Sequence, residues 1–333
     1  MVARMDINMQ HVLVGGPIHT AGLERLQQAG LSFDMVSDLT PPENQKLLQK
    51  ADALLLRTQK LPADLINKAE RLKILSRHGV GYDNVDMEAL NRRQIPLCVV
   101  GDANSTSVAE HTMMLILALA RRVISYDQQT RAGHWRYRDG LYASDIKGKR
   151  LLLLGGGRIG RAVAKRALAF EMQVAIYDPA LDPAQLHAWG VEHVTSLFQA
   201  LPNTDILSVH IPPDQGGQPV IGAQELAALK PSAMVINTAR GGIVDEAALS
   251  EALRTRHVSA AGLDVFAQEP AGPHHALFQH ENVILTPHAA GLSQEAAIRM
   301  SVMAAQNIVD FFAGQLDPHL IVNQAGTTPY KTI

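Results

Sequence analysis

The residues Gly155-Gly156-Gly157-Arg158-Ile159-Gly160 follow the apolar run Leu151 to Leu154 and open a helical stretch that continues through Phe170. In this G-x-G-x-x-G turn, Gly155 allows the tight turn, Gly157 lets the backbone approach a pyrophosphate, and Gly160 permits close packing of helix on strand. Eighteen residues beyond Gly160 the next strand-like run ends at Asp178. A carboxylate there can accept hydrogen bonds from an adenosine ribose and would repel a 2′-phosphate. Strand, turn, helix and acid together predict dinucleotide binding with NAD favoured over NADP, against the bland reading of a Gly-rich turn with no ligand.

Three more segments place reactive side chains at strand exits. Asn237 to Asp245 follows a strand, so Arg240 emerges at the carboxyl edge of the sheet, where doubly wound folds bind ligands. Its guanidinium fork could grip a substrate carboxylate, or it could cap a helix or pair with Asp245. The run Ala260 to Val265 delivers Asp264 and then Glu269-Pro270, and Val283 to Leu285 delivers Thr286-Pro287-His288. A carboxylate bonded to a histidine favours the protonated imidazole, which suits proton exchange with a hydroxyl or carbonyl. A satisfied loop histidine is the competing reading for His288, one of 14 histidines.

Other constellations point away from chemistry. His274, His275 and His280 match no helical metal-ligand spacing, so solvated loop histidines are expected there and no metal. The segment Arg131 to Arg138 interleaves basic and aromatic groups, yet the balance of 30 basic and 32 acidic residues, net −2, gives no footprint for nucleic acid or an anionic membrane. A structural or subunit-contact role is expected for it. The one cysteine, Cys98, lies in an apolar strand and reads as a buried inert thiol; a reducing, cytoplasmic compartment follows.

These groups need a scaffold that ends many strands along one edge. Strand-like runs at His11 to Pro17, ending in a Gly-rich turn, Ala53 to Leu56, Leu72 to Leu75 and Leu97 to Val100 alternate with helical stretches at Thr20 to Ala29, Pro62 to Ala69 and Met87 to Arg92. A second series runs from Leu151 through Gln173 to Tyr177, Ile206 to Val209, Met234 to Ile236 and Ala260 to Val265 to Val283 to Leu285. Alternation of this kind predicts parallel sheets covered on both faces, and 333 residues favour two domains. The apolar stretch Val108 to Val123 lies between the two series, and the helical pattern Gln294 to Phe312 should return to the first domain. Met113 to Ala120 is far short of the roughly 20 apolar residues that span a bilayer, so no membrane association is expected.

The ordered set Gly155 to Gly160, Tyr177-Asp178-Pro179, Asn237 to Glu246, Gly262 to Phe266 with Glu269-Pro270, and Thr286-Pro287-His288 closely resembles the D-isomer-specific 2-hydroxyacid dehydrogenases over nearly the whole chain. The resemblance implies that Arg240 binds the substrate carboxylate, His288 exchanges the proton and Glu269 orients His288. It implies a cofactor site of Gly155, Gly157, Arg158, Ile159, Gly160, Asp178, His210, Ala239 and Asp264. Ser76 to Asp86 and Asn104 to Glu110 look most like the phosphoglycerate dehydrogenase branch. Val80 and Gly81 would then offer backbone N–H groups to the substrate carboxylate, and Arg57 and Arg77 match positions that hold the phosphate. Around Arg57 the loop is one residue shorter than is usual in that branch, so an altered anion pocket is expected. The chain stops at Ile333, without that branch's regulatory C-terminal domains, so feedback by serine is not expected.

The expected architecture is α/β with two doubly wound parallel sheets: a Rossmann NAD-binding domain, 103–292, inserted in a discontinuous flavodoxin-like substrate domain, 1–102 and 293–333. Hinge closure near residues 103 and 292 would enclose the substrate. The expected activity is reversible hydride transfer between NAD and C2 of 3-phosphoglycerate or a similar anionic-tailed 2-hydroxy acid, in a homodimer joined through 108–123 and the aromatic segment after it. A hydroxypyruvate or glyoxylate reductase is the alternative. An NAD-sensing corepressor-like protein would need a peptide cleft and long tails, neither of which is obvious.

Overall fold

A computed structural model describes residues 10–323 apart from residue 215, and these form two compact units, residues 10–104 with 292–323 and residues 105–291. The first begins with β1 (His11–Gly15), α1 (Thr20–Gln28), β2 (Ser32–Val36), α2 (Pro42–Lys50), β3 (Ala53–Leu56), α3 (Ala63–Lys68), β4 (Ile74–Arg77), α4 (Met87–Arg92) and β5 (Leu97–Cys98). The strands are all parallel in the order β2-β1-β3-β4-β5. Leu54, Leu55 and Leu56 are fully buried, as expected for a parallel strand with helices on both faces.

The second unit contains α5 (Ser105–Ala120), α6 (Val123–Arg131), β6 (Arg150–Leu154), α7 (Arg158–Ala169), β7 (Gln173–Tyr177), α8 (Pro183–Ala188), β8 (Glu192–Val194), α9 (Leu197–Ala200), β9 (Ile206–Val209), α10 (Ala223–Ala228), β10 (Ala233–Asn237), α11 (Glu246–Arg254), β11 (Val258–Leu263) and β12 (Val283–Leu285). Its parallel sheet runs β12-β11-β10-β9-β6-β7-β8, so the order reverses between β6 and β9. That switch point is where a doubly wound sheet opens a crevice, and β6 is the strand that leads into the Gly-rich turn.

The chain then re-enters the first unit as α12 (Gln294–Ala313), which packs on α1, β3 and β4. Ser293 caps its start through Ala296 N, and Gly314, at φ 70°, ends it in the left-handed conformation. A Cβ on Gly22 of α1 would stand 2.7 Å from the Ser301 carbonyl, so glycine sets how closely these two helices cross.

The stretch expected as one apolar span over 108–123 is instead α5, a turn at Arg122 with φ 51°, and α6. Its apolarity is largely satisfied within its own unit, where Met113, Leu115, Ile116 and Leu119 join one core with Leu151, Leu153 and Val163. Among the described residues no helix is long and apolar enough to cross a membrane.

Candidate active site

The Gly-rich turn carries the marks of a phosphate cradle. Gly155 has φ 98°, and a Cβ on it would lie 2.7 Å from the His210 carbonyl; a Cβ on Gly160 would lie 2.1 Å from the Gly155 carbonyl. Helix α7 starts from Gly157, which supplies no side-chain cap, so its first-turn amides are open to an anion. Asp178 stands at the end of the adjacent β7, where its Oδ2 accepts from Gly156 N at 2.9 Å and its Oδ1 from Ala180 N at 2.9 Å. Each oxygen keeps a second lone pair for a ribose hydroxyl. His210 leaves β9 beside the turn, its Nε2 2.9 Å from Ser208 Oγ and its buried Nδ1 without a partner among the described residues. Burial pushes this imidazole down to about 3. Ile159 packs against one core of this unit and Ala239 against the other. These groups fit a dinucleotide.

Asp264, expected to contact the cofactor, is held by hydrogen bonds to the loop that carries His288. It is 1% exposed, and its carboxylate faces the loop after β12. Oδ1 accepts from Thr286 Oγ1 at 2.5 Å and from Ala289 N at 2.8 Å, and Oδ2 accepts from Ala290 N at 2.8 Å. The Asp264 carbonyl accepts from His288 N at 2.7 Å. This grip holds His288 at φ 53°, a conformation that costs a residue with a Cβ of order 1 kcal/mol or more. His111 of α5 supports the loop from beneath, with Nε2 3.0 Å from Thr286 Oγ1.

His288 so placed meets Glu269. Its Nδ1 lies 2.7 Å from Glu269 Oε2, while Glu269 Oε1 accepts from Phe266 N at 3.1 Å. The carboxylate fixes the tautomer with the proton on Nδ1, leaving Nε2 as the basic edge of the ring. Among the described residues Nε2 has no protein partner, and the side chains of His288 and Glu269 are 48% and 36% exposed. An imidazole oriented on one edge and open on the other is built for proton exchange.

Arg240 emerges from β10, next to β11, and its Nη1 donates to the Ala239 carbonyl at 2.7 Å. Its loop is stapled by the buried Asn237, which donates to the Arg240 carbonyl at 2.8 Å and accepts from Ala239 N at 3.0 Å. Asp245, weighed above as an arginine partner, caps α11 through Ala247 N and Ala248 N. The sequence reading held Asn237 and Thr286 only as members of their motifs, with no role of their own, and passed over His111. The signal for Asn237 and Thr286 was a polar residue at the end of an apolar strand; for His111 it was a polar residue within an apolar helix.

In the first unit, the loop after β4 presents the Val80 and Gly81 amides, neither of which has a protein acceptor among the described residues. Arg57 donates to the Pro17 carbonyl at 3.0 Å and has no carboxylate partner among the described residues. Arg77 Nη1 reaches the carbonyls of Leu56 at 3.2 Å and His78 at 3.4 Å. His78 is buried, with Nε2 2.9 Å from Ser301 Oγ. Burial, with the Arg57 and Arg77 charges nearby, pushes it down to about 4. Burial likewise pushes the Cys98 thiol up to about 12. No group of three or more metal-ligating side chains occurs among the described residues.

The profile of the family described as D-isomer specific 2-hydroxyacid dehydrogenase, NAD binding domain, matches residues 113–290. The chain belongs to the D-isomer-specific 2-hydroxyacid dehydrogenase family. The D-3-phosphoglycerate dehydrogenase of Archaeoglobus fulgidus is 36% identical over 304 residues, covering 91% of this chain and 57% of that protein. A glyoxylate reductase of Aeropyrum pernix is 40% identical over 291 residues, covering 84% of this chain and 87% of that protein. The crystal structure of the TT0316 protein from Thermus thermophilus has a TM-score of 0.85 at 33% identity, covering 94% of this chain and 100% of that one. This member of the family thus spans less than two-thirds of its phosphoglycerate dehydrogenase relative and most of its glyoxylate reductase relative.

Proposed function

We infer that the protein reversibly interconverts a small 2-hydroxy acid and its 2-keto acid with NAD, and that the preferred acid carries an anionic tail, as 3-phosphoglycerate does. One observation carries the reading: His288 is fixed by Glu269 through Nδ1 while its Nε2 stays open, on the exit loop of a strand in an NAD-binding domain. When bound, NAD supplies the acceptor for the hydride from C2. His288 Nε2 takes the hydroxyl proton in oxidation and returns it in reduction, while Glu269 stabilises the charged ring. Arg240 holds the carboxylate, and in the first unit the Val80 and Gly81 amides and the Arg57 and Arg77 guanidiniums are the groups able to bind an anion.

Asp178 favours NAD over NADP, because a 2′-phosphate would meet a carboxylate already fixed by two backbone amides. A glyoxylate or hydroxypyruvate reductase is the second reading, favoured by the near full-length match to glyoxylate reductase. The exposed Met114, Val123, Ile124, Trp135 and Leu141 support a two-fold subunit contact in this region. A cytoplasmic setting accords with a single, buried cysteine.

Absorbance at 340 nm, followed with NAD and NADP against a panel of 2-hydroxy and 2-keto acids, tests the reading. Turnover with NAD, and a steep rise in KM for the anionic-tailed acid in Arg77→Ala with little change for glycerate, are expected. Equal losses for both acids would remove the tail pocket and leave the reductase reading.

A further inference from the structure

Glu246 and His275 lie outside the groups assigned so far, yet they hold the backbone from which Glu269 acts. Glu246 is the first residue of α11, directly downstream of the Arg240 loop. Its Oε1 accepts from Ala267 N at 2.6 Å, and its Oε2 lies 2.9 Å from His275 Nε2. The two side chains are 15% and 20% exposed. His275 Nδ1 accepts from Leu277 N at 3.3 Å, so Nε2 carries the proton and donates to Glu246. The neighbouring amide, Phe266 N, donates to Glu269 Oε1, and the Phe266 ring stands edge-on to His275 with centroids 5.5 Å apart. A Cβ on Gly241 would lie 1.8 Å from the Phe266 carbonyl, so the Arg240 loop is seated on this same peptide.

The geometry points to Glu246 and His275 as positioning residues: they fix the Phe266–Ala267 peptide, which orients Glu269, which orients His288. This rests on the function proposed above. An exposed glutamate next to a loop peptide has several rotamers, and a carboxylate–histidine pair beneath that peptide selects the one that faces His288. Glu246 touches no reacting group, so its effect must pass through Glu269.

The test compares Glu246→Ala, Glu246→Gln, His275→Ala, Glu269→Gln and the double variant Glu246→Ala/Glu269→Gln. Glu246→Ala is expected to lower kcat about tenfold with the KM for NADH within about twofold, whereas Glu246→Gln keeps an oxygen for Ala267 N and most of the rate. The double variant should be no slower than Glu269→Gln alone, because two groups acting through one contact are not additive. Multiplying losses in the double variant, or a Gln variant as slow as the Ala variant, would overturn the inference.

Amide exchange of Phe266 and Ala267, read by mass spectrometry without substrate, gives a second measure. It should speed up in Glu246→Ala and His275→Ala, and unchanged exchange overturns the proposal. Should Glu246→Ala not fold, His275→Ala crossed with Glu269→Gln decides by the same non-additivity. If the unaltered protein turns over none of the acids, the functional reading fails, and the exchange measurement still decides whether this pair fixes the peptide.

Discussion

Each of the two parallel sheets delivers a histidine just beyond the carboxyl end of a strand, and the two are set in opposite surroundings. His78 follows β4, is buried against Ser301, and stands near Arg57 and Arg77, so it stays neutral down to about pH 4. His288 follows β12, has half its side chain in solvent, and meets the Glu269 carboxylate at 2.7 Å. Residue type and topological position are alike; burial and the sign of the neighbouring charge differ. A strand-exit histidine is suited to proton exchange only where a carboxylate faces one nitrogen and space faces the other.

The largest expected effect breaks the shuttle. His288→Ala should lower kcat by about a thousandfold while NADH binding, followed by fluorescence titration, changes little, since general acid–base groups contribute about 10² to 10⁴ in rate. Retained turnover would assign the proton transfer to another group.

The next effect tests the neutral histidine. Its value of about 4 lies below the ordinary 6.5, so between those limits the unfolded chain binds the proton more readily and stability falls as pH drops. The loss reaches about 3 kcal/mol once the pH is below both values. Urea midpoints of the protein and of His78→Gln should therefore converge as pH is lowered from 7 to 4. A constant gap would mean that His78 is charged in the fold.

Glu269→Gln should be milder than His288→Ala, slowing turnover by about tenfold, because the imidazole stays in place while its Nδ1 loses the carboxylate that orients it. An unchanged rate would separate Glu269 from the proton transfer.

Smallest is Ser301→Ala, which strands the buried His78 Nε2 and removes the acceptor of His19 N. A loss of about 1 to 2 kcal/mol in unfolding free energy is expected, with kcat unaltered. A kcat loss in this variant would tie α12 to catalysis.

Much of this frame was legible in sequence. The leucine runs of β3 and β6 read as buried strands, and the turn after β6, with its helix and Asp178, read as a dinucleotide cradle. The edge strands β2 and β8 were missed for a physical reason. The burial of β2 leaves mainly Val36 inside, and β8 is three residues long, so neither carries the apolar run of a central strand. The apolar stretch around Met113 was legible as buried, but what buries it was not. A sequence shows how much surface must be covered and leaves open whether the partner is the same unit or another subunit.

For the site, residue order alone settled which groups leave strand ends: Arg240, Glu269 and His288, with the glycines and Asp178 before them. Spacing along the chain fixes such exits, because in a parallel sheet every strand delivers its next residues to the same edge. Which of these exits meet was decided by packing. Glu269 and His288 touch because β11 pairs with β12. Asp264, an acid at a strand exit like Glu269, turns inward to hold the loop of His288 in a conformation that its own backbone disfavours. Whether a carboxylate faces a proton shuttle or a row of amides depends on strand adjacency and burial, quantities that neither residue type nor spacing contains.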